Sequence, residues 1–169
     1  DPLRVEVRRI IARPVEEVFR AWITPASIAR WLGGAGTSDV RVSGAARTGA
    51  RIRVDLVYNG APWFLDGEYL EVVPNRRLRY TWVTTECPAS VGSIVTVEFR
   101  PLGERTEVRL VHEGFPDAKT RSDHDAPGWQ QIMEVLVRAG DGELTPDRLE
   151  AARHGILAEK RGDSYRVEV

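Results

Sequence analysis

The feature that most constrains the fold is a long stretch of alternating apolar and polar residues, which extends from Asp39 to Glu113. Alternation with a period of two is typical of strands that have one buried and one solvated face. Turn sequences such as Asn59-Gly60 interrupt this stretch and divide it into six strands. We therefore predict an antiparallel meander, which cannot bury its inward face unless another element covers it.

Before this stretch, the sequence predicts one further strand and two short helices. Residues 3–12 alternate, and the period then changes, because apolar residues recur every three or four positions after Pro14. Pro14 suits the first position of a helix, and Thr24 followed by Pro25 is typical of the start of a second one. The chain therefore begins with strand, helix, helix before it enters the meander.

One amphipathic helix is available to cover the sheet, from about Gly128 to Arg138. We predict an α+β helix-grip fold over residues 1–140, in which a curved antiparallel sheet of about seven strands wraps around this long C-terminal helix. Residues 141–169 differ in composition and form a C-terminal extension, with a polar helix predicted up to about Arg153. The extension packs on the domain, adds to a sheet edge or reaches a partner; the sequence leaves these alternatives open.

The composition excludes several classes of protein. The chain has 24 basic and 25 acidic residues, so no basic excess favours binding to nucleic acid. No apolar run approaches the ~20 residues of a membrane span, and the single cysteine, Cys87, excludes an internal disulfide framework. We see no basic segment followed by an apolar one at the N-terminus, so we expect no signal peptide and a cytoplasmic location.

Several motifs resemble one known family. The sequence RRIIARPVEEVFRAW at 8–22, the sequence GEYLEVVP at 67–74 and the sequence HEGFP at 112–116 are similar to the activator of heat-shock-protein ATPase homologues. That family lies within the START-like, or SRPBCC, superfamily. The resemblance covers residues 4–138 and implies a helix-grip fold, like that of the birch-pollen allergen, with a cavity under the C-terminal helix. Superfamily members include lipid carriers, hormone receptors and polyketide cyclases, so the resemblance alone does not select a function.

Two residues are candidates for catalysis if the protein is an enzyme. Strand alternation sends His112 inward together with Val108 and Leu110, and an imidazole at a cavity acts as a general acid or base near neutral pH. The alternative is a structural histidine that fixes a neighbouring loop. Tyr80 also falls on an inward phase, where its hydroxyl would stabilise a developing enolate or simply lie in an aromatic core.

Further inward-facing residues are candidates for contact with an apolar ligand. The set combines aromatic and aliphatic side chains that strand and helix periodicity place toward the space between sheet and helix. It consists of Trp31, Tyr58, Tyr69, Trp82, Val97, Phe99, Leu110 and Met133. The strand phase near Gly67 is open, because a glycine inside a strand often marks a bulge.

We expect neither a metal nor a cofactor. The run Asp123, His124, Asp125 contains potential metal ligands. It lacks the regular spacing of a metal site, and it precedes a helix, where capping accounts for an acidic residue.

Three hypotheses of function follow. The first is a protein that holds an apolar or aromatic small molecule in the cavity between the sheet and the C-terminal helix. The second is a cofactor-independent cyclase or aromatase that acts on a polyketide-like carbonyl compound through His112 and Tyr80. The third is a protein-interaction or co-chaperone-like module, in which the extension supports a homodimer or docks on a partner.

Overall fold

The computed structural model describes residues 3–33 and 36–168, and within them a seven-stranded antiparallel sheet is combined with five α-helices. The strands are β1 (Arg4–Ile11), β2 (Thr37–Gly44), β3 (Arg51–Tyr58), β4 (Ala61–Val73), β5 (Arg77–Thr81), β6 (Ile94–Leu102) and β7 (Arg105–Glu113). The helices are α1 (Val15–Ile23), α2 (Pro25–Trp31), α3 (Ala118–Asp123), α4 (Gln130–Ala139) and α5 (Pro146–Glu168). The order in the sheet is β1-β7-β6-β5-β4-β3-β2, so the first two strands form opposite edges. The predicted α+β helix-grip fold is confirmed.

The two short helices cover part of the inner sheet face. Pro14 precedes α1 with an extended backbone, and the buried face of α1 includes Val18, Phe19 and Trp22. Thr24 separates the helices, and Pro25 occupies the first turn of α2 as predicted. Helix α1 packs on β6 and β7, whereas α2 lies beside β2, so the pair caps the concave side of the curved sheet.

Turn residues and one register shift determine how the strands of the meander pair. Asn59 and Gly60 both have positive φ, at 50° and 81°, as the tight hairpin between β3 and β4 requires. The β4 strand contains an irregularity, but it does not lie at Gly67. Pairing with β3 continues without a break through Glu68, and the register with β5 shifts between Tyr69 and Glu71. Tyr69 consequently faces the core.

Gly67 has a different physical role from the predicted bulge. A Cβ atom at this position would lie 2.6 Å from the carbonyl oxygen of Thr81 and 3.1 Å from the Ile52 side chain. The absence of a side chain therefore lets two backbone segments approach closely on the buried side of the sheet.

The predicted C-terminal helix, from about Gly128 to Arg138, is present as α4, and a short helix and a π-helical turn precede it. Asp117 caps α3 by accepting a hydrogen bond from the Thr120 backbone N–H at 2.8 Å. A π-helical turn, Asp125–Trp129, then leads into the ten-residue helix α4. Helix α4 buries Ile132, Met133 and Leu136 and packs along β1.

The C-terminal extension packs on the domain. Helix α5 continues to Glu168, well past the predicted end near Arg153, and contacts both α2 and α4. Leu149 is fully buried, and Leu144 and Ile156 belong to the same hydrophobic core as the sheet. Of the three alternatives left open by the sequence, packing on the domain applies to residues 144–156. None of the helices within residues 3–33 and 36–168 has the length and apolar character needed to cross a membrane.

Candidate functional site

The space under the helices is almost filled by side chains. A void of about 10 Å³ remains there, which is close to the minimum for one water molecule. We call it the inner void. It is lined by Trp22, Ile28, Trp31, Leu32, Ile52, Val54, Leu65, Tyr69, Tyr80, Trp82 and Trp129. The resemblance implied a cavity under the C-terminal helix, and aromatic residues occupy most of that space.

Four of the predicted ligand residues lie in the packed core. Val97, Leu110 and Met133 have no exposed surface, and Phe99 is 4% exposed and packs edge-on against the Phe19 ring at 5.2 Å. None of the four lines the inner void or the larger groove that lies beside it. The prediction that these residues face inward is correct. They contact other side chains of the core, however, and not a space that could hold a ligand.

Trp31, Tyr69, Tyr80 and Trp82 do meet at the inner void. The Trp31 indole N–H donates to the carbonyl oxygen of Ala21 at 2.9 Å, and the Tyr69 and Tyr80 rings pack edge-on at 5.8 Å. Burial raises the pKa of Tyr69 to about 12, and it raises the pKa of Tyr80 further. Both phenols therefore remain protonated at neutral pH and serve as hydrogen-bond donors rather than as bases.

A much larger space lies beside the inner void. It is an open groove of about 570 Å³ between α3, the π-helical turn and α4 on one side and strands β2, β3 and β4 on the other. We call it the outer groove. Its apolar lining includes Leu32, Leu56, Trp63, Trp82, Pro127, Trp129 and Ile132, and its polar lining includes Thr37, Tyr58, Glu86, Lys119, Thr120, Asp123 and His124. Leu32, Trp82 and Trp129 border both spaces and form a shared wall.

The polar residues lie mainly at the rim of the outer groove. Tyr58 was predicted to face inward, but it is the last residue of β3 and its side chain is 50% exposed at the groove. The Trp63 indole N–H donates to the Glu86 carboxylate at 3.3 Å, and Lys119 pairs with Asp123 at 2.9 Å. The groove thus combines an apolar floor with charged and hydroxyl groups at its edge, the usual arrangement of small-molecule sites.

His112 is fully buried and uses both ring nitrogens within the protein. The Trp129 indole N–H donates to Nδ1 at 2.9 Å, so Nε2 carries the proton and donates to the Ser93 hydroxyl at 2.6 Å. Burial, with a smaller contribution from His124, holds the pKa of His112 well below its usual value, and the ring is neutral at pH 7. The ring ties the π-helical turn to the segment before β6. It lines neither space, so this geometry favours the structural alternative and offers no route to a substrate.

The histidine that does line the outer groove is His124. Its Nδ1 donates to the Thr120 carbonyl oxygen at 2.8 Å, and its ring packs against Phe115 at 5.0 Å and Trp82 at 5.9 Å. Strand periodicity could not find this residue, because it follows a short helix. The acidic residues on either side marked it in the sequence only as a potential metal ligand. Within the described residues, no group of three potential ligands is placed to hold a metal ion.

Comparison with known proteins connects this architecture to one family. The sequence profile described as Activator of Hsp90 ATPase homolog 1-like protein matches residues 12–140. The match ends one residue after α4, so α5 lies outside it. No curated protein matches the sequence significantly.

Three solved structures illustrate the shared fold. The Chromobacterium violaceum protein CV1439 is 29% identical with a TM-score of 0.73, and the match covers 85% of this chain and 100% of that one. DynU16, from the dynemicin biosynthetic locus, is 24% identical with a TM-score of 0.65, and the match covers 82% of this chain and 47% of that one. The Aha1 dimer from Colwellia psychrerythraea is 20% identical with a TM-score of 0.62, over 82% of this chain and 98% of that one. At these identities the last two establish similarity of fold alone.

Proposed function

The chain belongs to the Activator of Hsp90 ATPase homolog 1-like family, and from this premise we propose that it binds an apolar or aromatic small molecule in the outer groove. The observation that carries the proposal is the groove itself, about 570 Å³ with an apolar floor and a polar rim. Sites for small organic ligands are typically concave spaces of ~300–1,000 Å³ with that division of surface. The family fold alone would not select this function.

The floor of the groove suits a flat aromatic compound. The Trp63 and Trp82 rings lie 6.4 Å apart, and the Trp82 and Trp129 rings lie 5.2 Å apart, with tilted planes in both pairs. Aromatic rings pack favourably against each other at such separations, in edge-on or offset arrangements. A ligand ring entering the groove would extend this cluster, while Tyr58, Lys119 or Asp123 at the rim would orient polar substituents.

The test is a titration with N-phenyl-1-naphthylamine, a neutral aromatic fluorophore. Thr37 lines the groove, so Thr37→Trp would obstruct it, whereas Ser43→Trp places the same side chain on an exposed position of the same strand. We expect saturable binding near one molecule per chain in the wild type and in Ser43→Trp. Thr37→Trp should weaken binding at least about tenfold, a loss of ~1.4 kcal/mol. Equal affinity in the two variants, or no saturable binding, would contradict the proposal.

A cofactor-independent acid–base enzyme is the second candidate, and one observation favours it. His124 borders the groove, and its Nε2 makes no hydrogen bond within the described residues. A nitrogen with that freedom can take a proton from an activated carbon acid, as a cyclase acting on a polyketide-like carbonyl compound requires. The catalytic role predicted for His112 would thereby move to His124. The DynU16 protein of a biosynthetic locus shares the fold.

This candidate can be tested without the natural substrate. Benzoylacetone carries an acidic carbon between two carbonyl groups, and its hydrogen–deuterium exchange can be followed by NMR. We expect the protein to accelerate exchange, and we expect His124→Gln to abolish the acceleration while His112→Asn retains it in the folded fraction. An unchanged rate in His124→Gln would exclude this histidine as the base.

The homodimer and the cytoplasmic location stay predictions. The relative from Colwellia psychrerythraea is a dimer, and multi-angle light scattering on the full chain would establish the state of this protein. A deletion of the extension would be a poor test, because Leu144, Leu149 and Ile156 complete the core. A mass of one chain at micromolar concentration would contradict the homodimer.

A further inference from the structure

The five tryptophans of the chain differ in how their indole N–H groups are satisfied. Those of Trp31, Trp63 and Trp129 donate to a carbonyl, a carboxylate and an imidazole, respectively. Those of Trp22 and Trp82 are buried and have no hydrogen-bond partner within the described residues. Both of these tryptophans line the inner void.

Two unpaired donors at one void are unusual. Buried polar groups in proteins are nearly always hydrogen-bonded, and each exception calls for an explanation such as a bound molecule. The side chains are 2% and 5% exposed, respectively, so bulk water does not satisfy them. An acceptor in the inner void within reach of either N–H group would remove the penalty for that donor.

The tyrosines add further donors to the same place. Burial raises the pKa of Tyr80, and the Trp22 indole offsets that rise only in part, while the Trp22 N–H keeps no hydrogen-bond partner within the described residues. Tyr69 and Tyr80 are neutral because burial raises their pKa values, and each can donate through its hydroxyl. The lining of the void contains no carboxylate and no cation among the described residues. The site is therefore rich in donors and carries no charge.

We infer that the inner void binds the carbonyl oxygen of an aromatic ketone or quinone whose ring lies in the outer groove, with Trp22, Trp82 and Tyr80 as donors. This inference rests on the proposed function and specifies its ligand class. A space of about 10 Å³ accommodates an oxygen atom and excludes a ring. The oxygen reaches it by displacing the wall of Leu32, Trp82 and Trp129 that the two spaces share.

The test compares two ligands that differ in one group, 2-acetylnaphthalene and 2-ethylnaphthalene. We expect the ketone to bind about tenfold more tightly to the wild type, the value of one additional good hydrogen bond. Tyr80→Phe removes only a hydroxyl and Trp82→Phe removes the indole N–H, so each should reduce this preference. Ser43→Ala removes a hydroxyl at an exposed position of β2 that lines neither space, and it is the control, with the preference expected to be unchanged.

The indole resonances in a ¹H–¹⁵N spectrum give a second measurement that does not need a variant. We expect the ketone to shift the N–H signals of Trp22 and Trp82 downfield, while the hydrocarbon shifts neither in that direction. The Trp31 signal is the internal control, because its N–H already has an acceptor.

The outcomes separate the inference from the proposed function. Equal binding of ketone and hydrocarbon would overturn the inference and leave the groove as a ligand site. That result, together with cross-peaks from the Trp22 and Trp82 N–H groups to a long-lived water, would assign the void to a structural water molecule. No binding of either naphthalene would overturn both proposals.

Discussion

The inner void and the outer groove lie on the same side of the sheet and share a wall, yet they differ about fiftyfold in volume. Aromatic side chains close the first, with the Trp22 and Trp31 rings 5.0 Å apart. The second stays open because strands β2 and β3 and the helices on the opposite side border it without filling it. The fold therefore supplies a concave face, and the side chains decide where on that face a ligand has room.

The two regions also differ in the burial and charge of their polar groups. At the void, polar groups are buried and neutral, and the pKa values of Tyr69 and Tyr80 are raised by desolvation. At the groove rim, Lys119 and Asp123 pair in solvent, with side chains that are 87% and 58% exposed. Changes at the void and its wall should therefore cost much more stability than equivalent changes at the rim.

The sharpest way to test this contrast is to truncate one tryptophan on each side. Trp82 lies in the shared wall and is 5% exposed, whereas Trp63 borders the groove alone and is half-buried. We expect Trp82→Ala to lower the free energy of unfolding by about 3–5 kcal/mol, the usual cost of removing a large buried aromatic side chain. Trp63→Ala should cost about 1 kcal/mol, a typical value for a point substitution in general, because this side chain is only partly buried against the core.

Chemical denaturation of both variants provides the measurement, since the two substitutions remove the same atoms. Similar losses in the two variants would mean that the groove floor and the wall are equally tightly packed. The contrast between the two regions would then fail.

The second prediction concerns the buried histidine that anchors the wall. An unfolded histidine has a pKa of ~6.5, whereas burial keeps the pKa of His112 well below that value. As the pH falls below about 6.5, the unfolded chain binds a proton at this histidine and the folded chain does not. The free energy of unfolding therefore decreases by about 1.4 kcal/mol per pH unit. Between pH 7 and pH 5 the loss should reach about 2 kcal/mol.

The measurement is the free energy of unfolding at several pH values for the wild type and His112→Asn. The asparagine carbonyl can still accept from Trp129 but does not titrate, so this variant should lose the slope over pH 7 to 5 even if it is less stable throughout. Carboxylates such as Glu17, whose pKa is lowered by Arg13, act mainly below about pH 5 and contribute equally in the two proteins. Parallel pH profiles for the two proteins would contradict a buried neutral His112.

Local patterns in the sequence predicted the strands and helices because those patterns record which face of an element is buried. Strand phase correctly predicted that Val97, Leu110 and His112 face inward. It could not reveal whether a space lay opposite them, since that depends on side chains such as Trp22 and Tyr69, which come from distant segments. The pattern also missed His124, because its place at the groove follows from the α3 cap and the π-helical turn rather than from periodicity.

The third and smallest expected effect comes from adding a methyl group on the void side. Gly67 lies on β4 between Leu65 and Tyr69, which both line the void, and a Cβ there would meet the Thr81 carbonyl oxygen at 2.6 Å. Because backbone cannot yield as a flexible side chain does, we expect Gly67→Ala to cost about 1–2 kcal/mol, near the lower end of overpacking penalties.

Gly155→Ala is the control, because the same methyl group would meet no atom within 4 Å on α5. It should stabilise the protein by up to about 1 kcal/mol through helix propensity alone. Thermal or urea denaturation should therefore move the two variants in opposite directions. If Gly67→Ala were neutral, β4 and β5 could separate without penalty. The small volume of the inner void would then not result from tight packing, because the strands that border it could move apart.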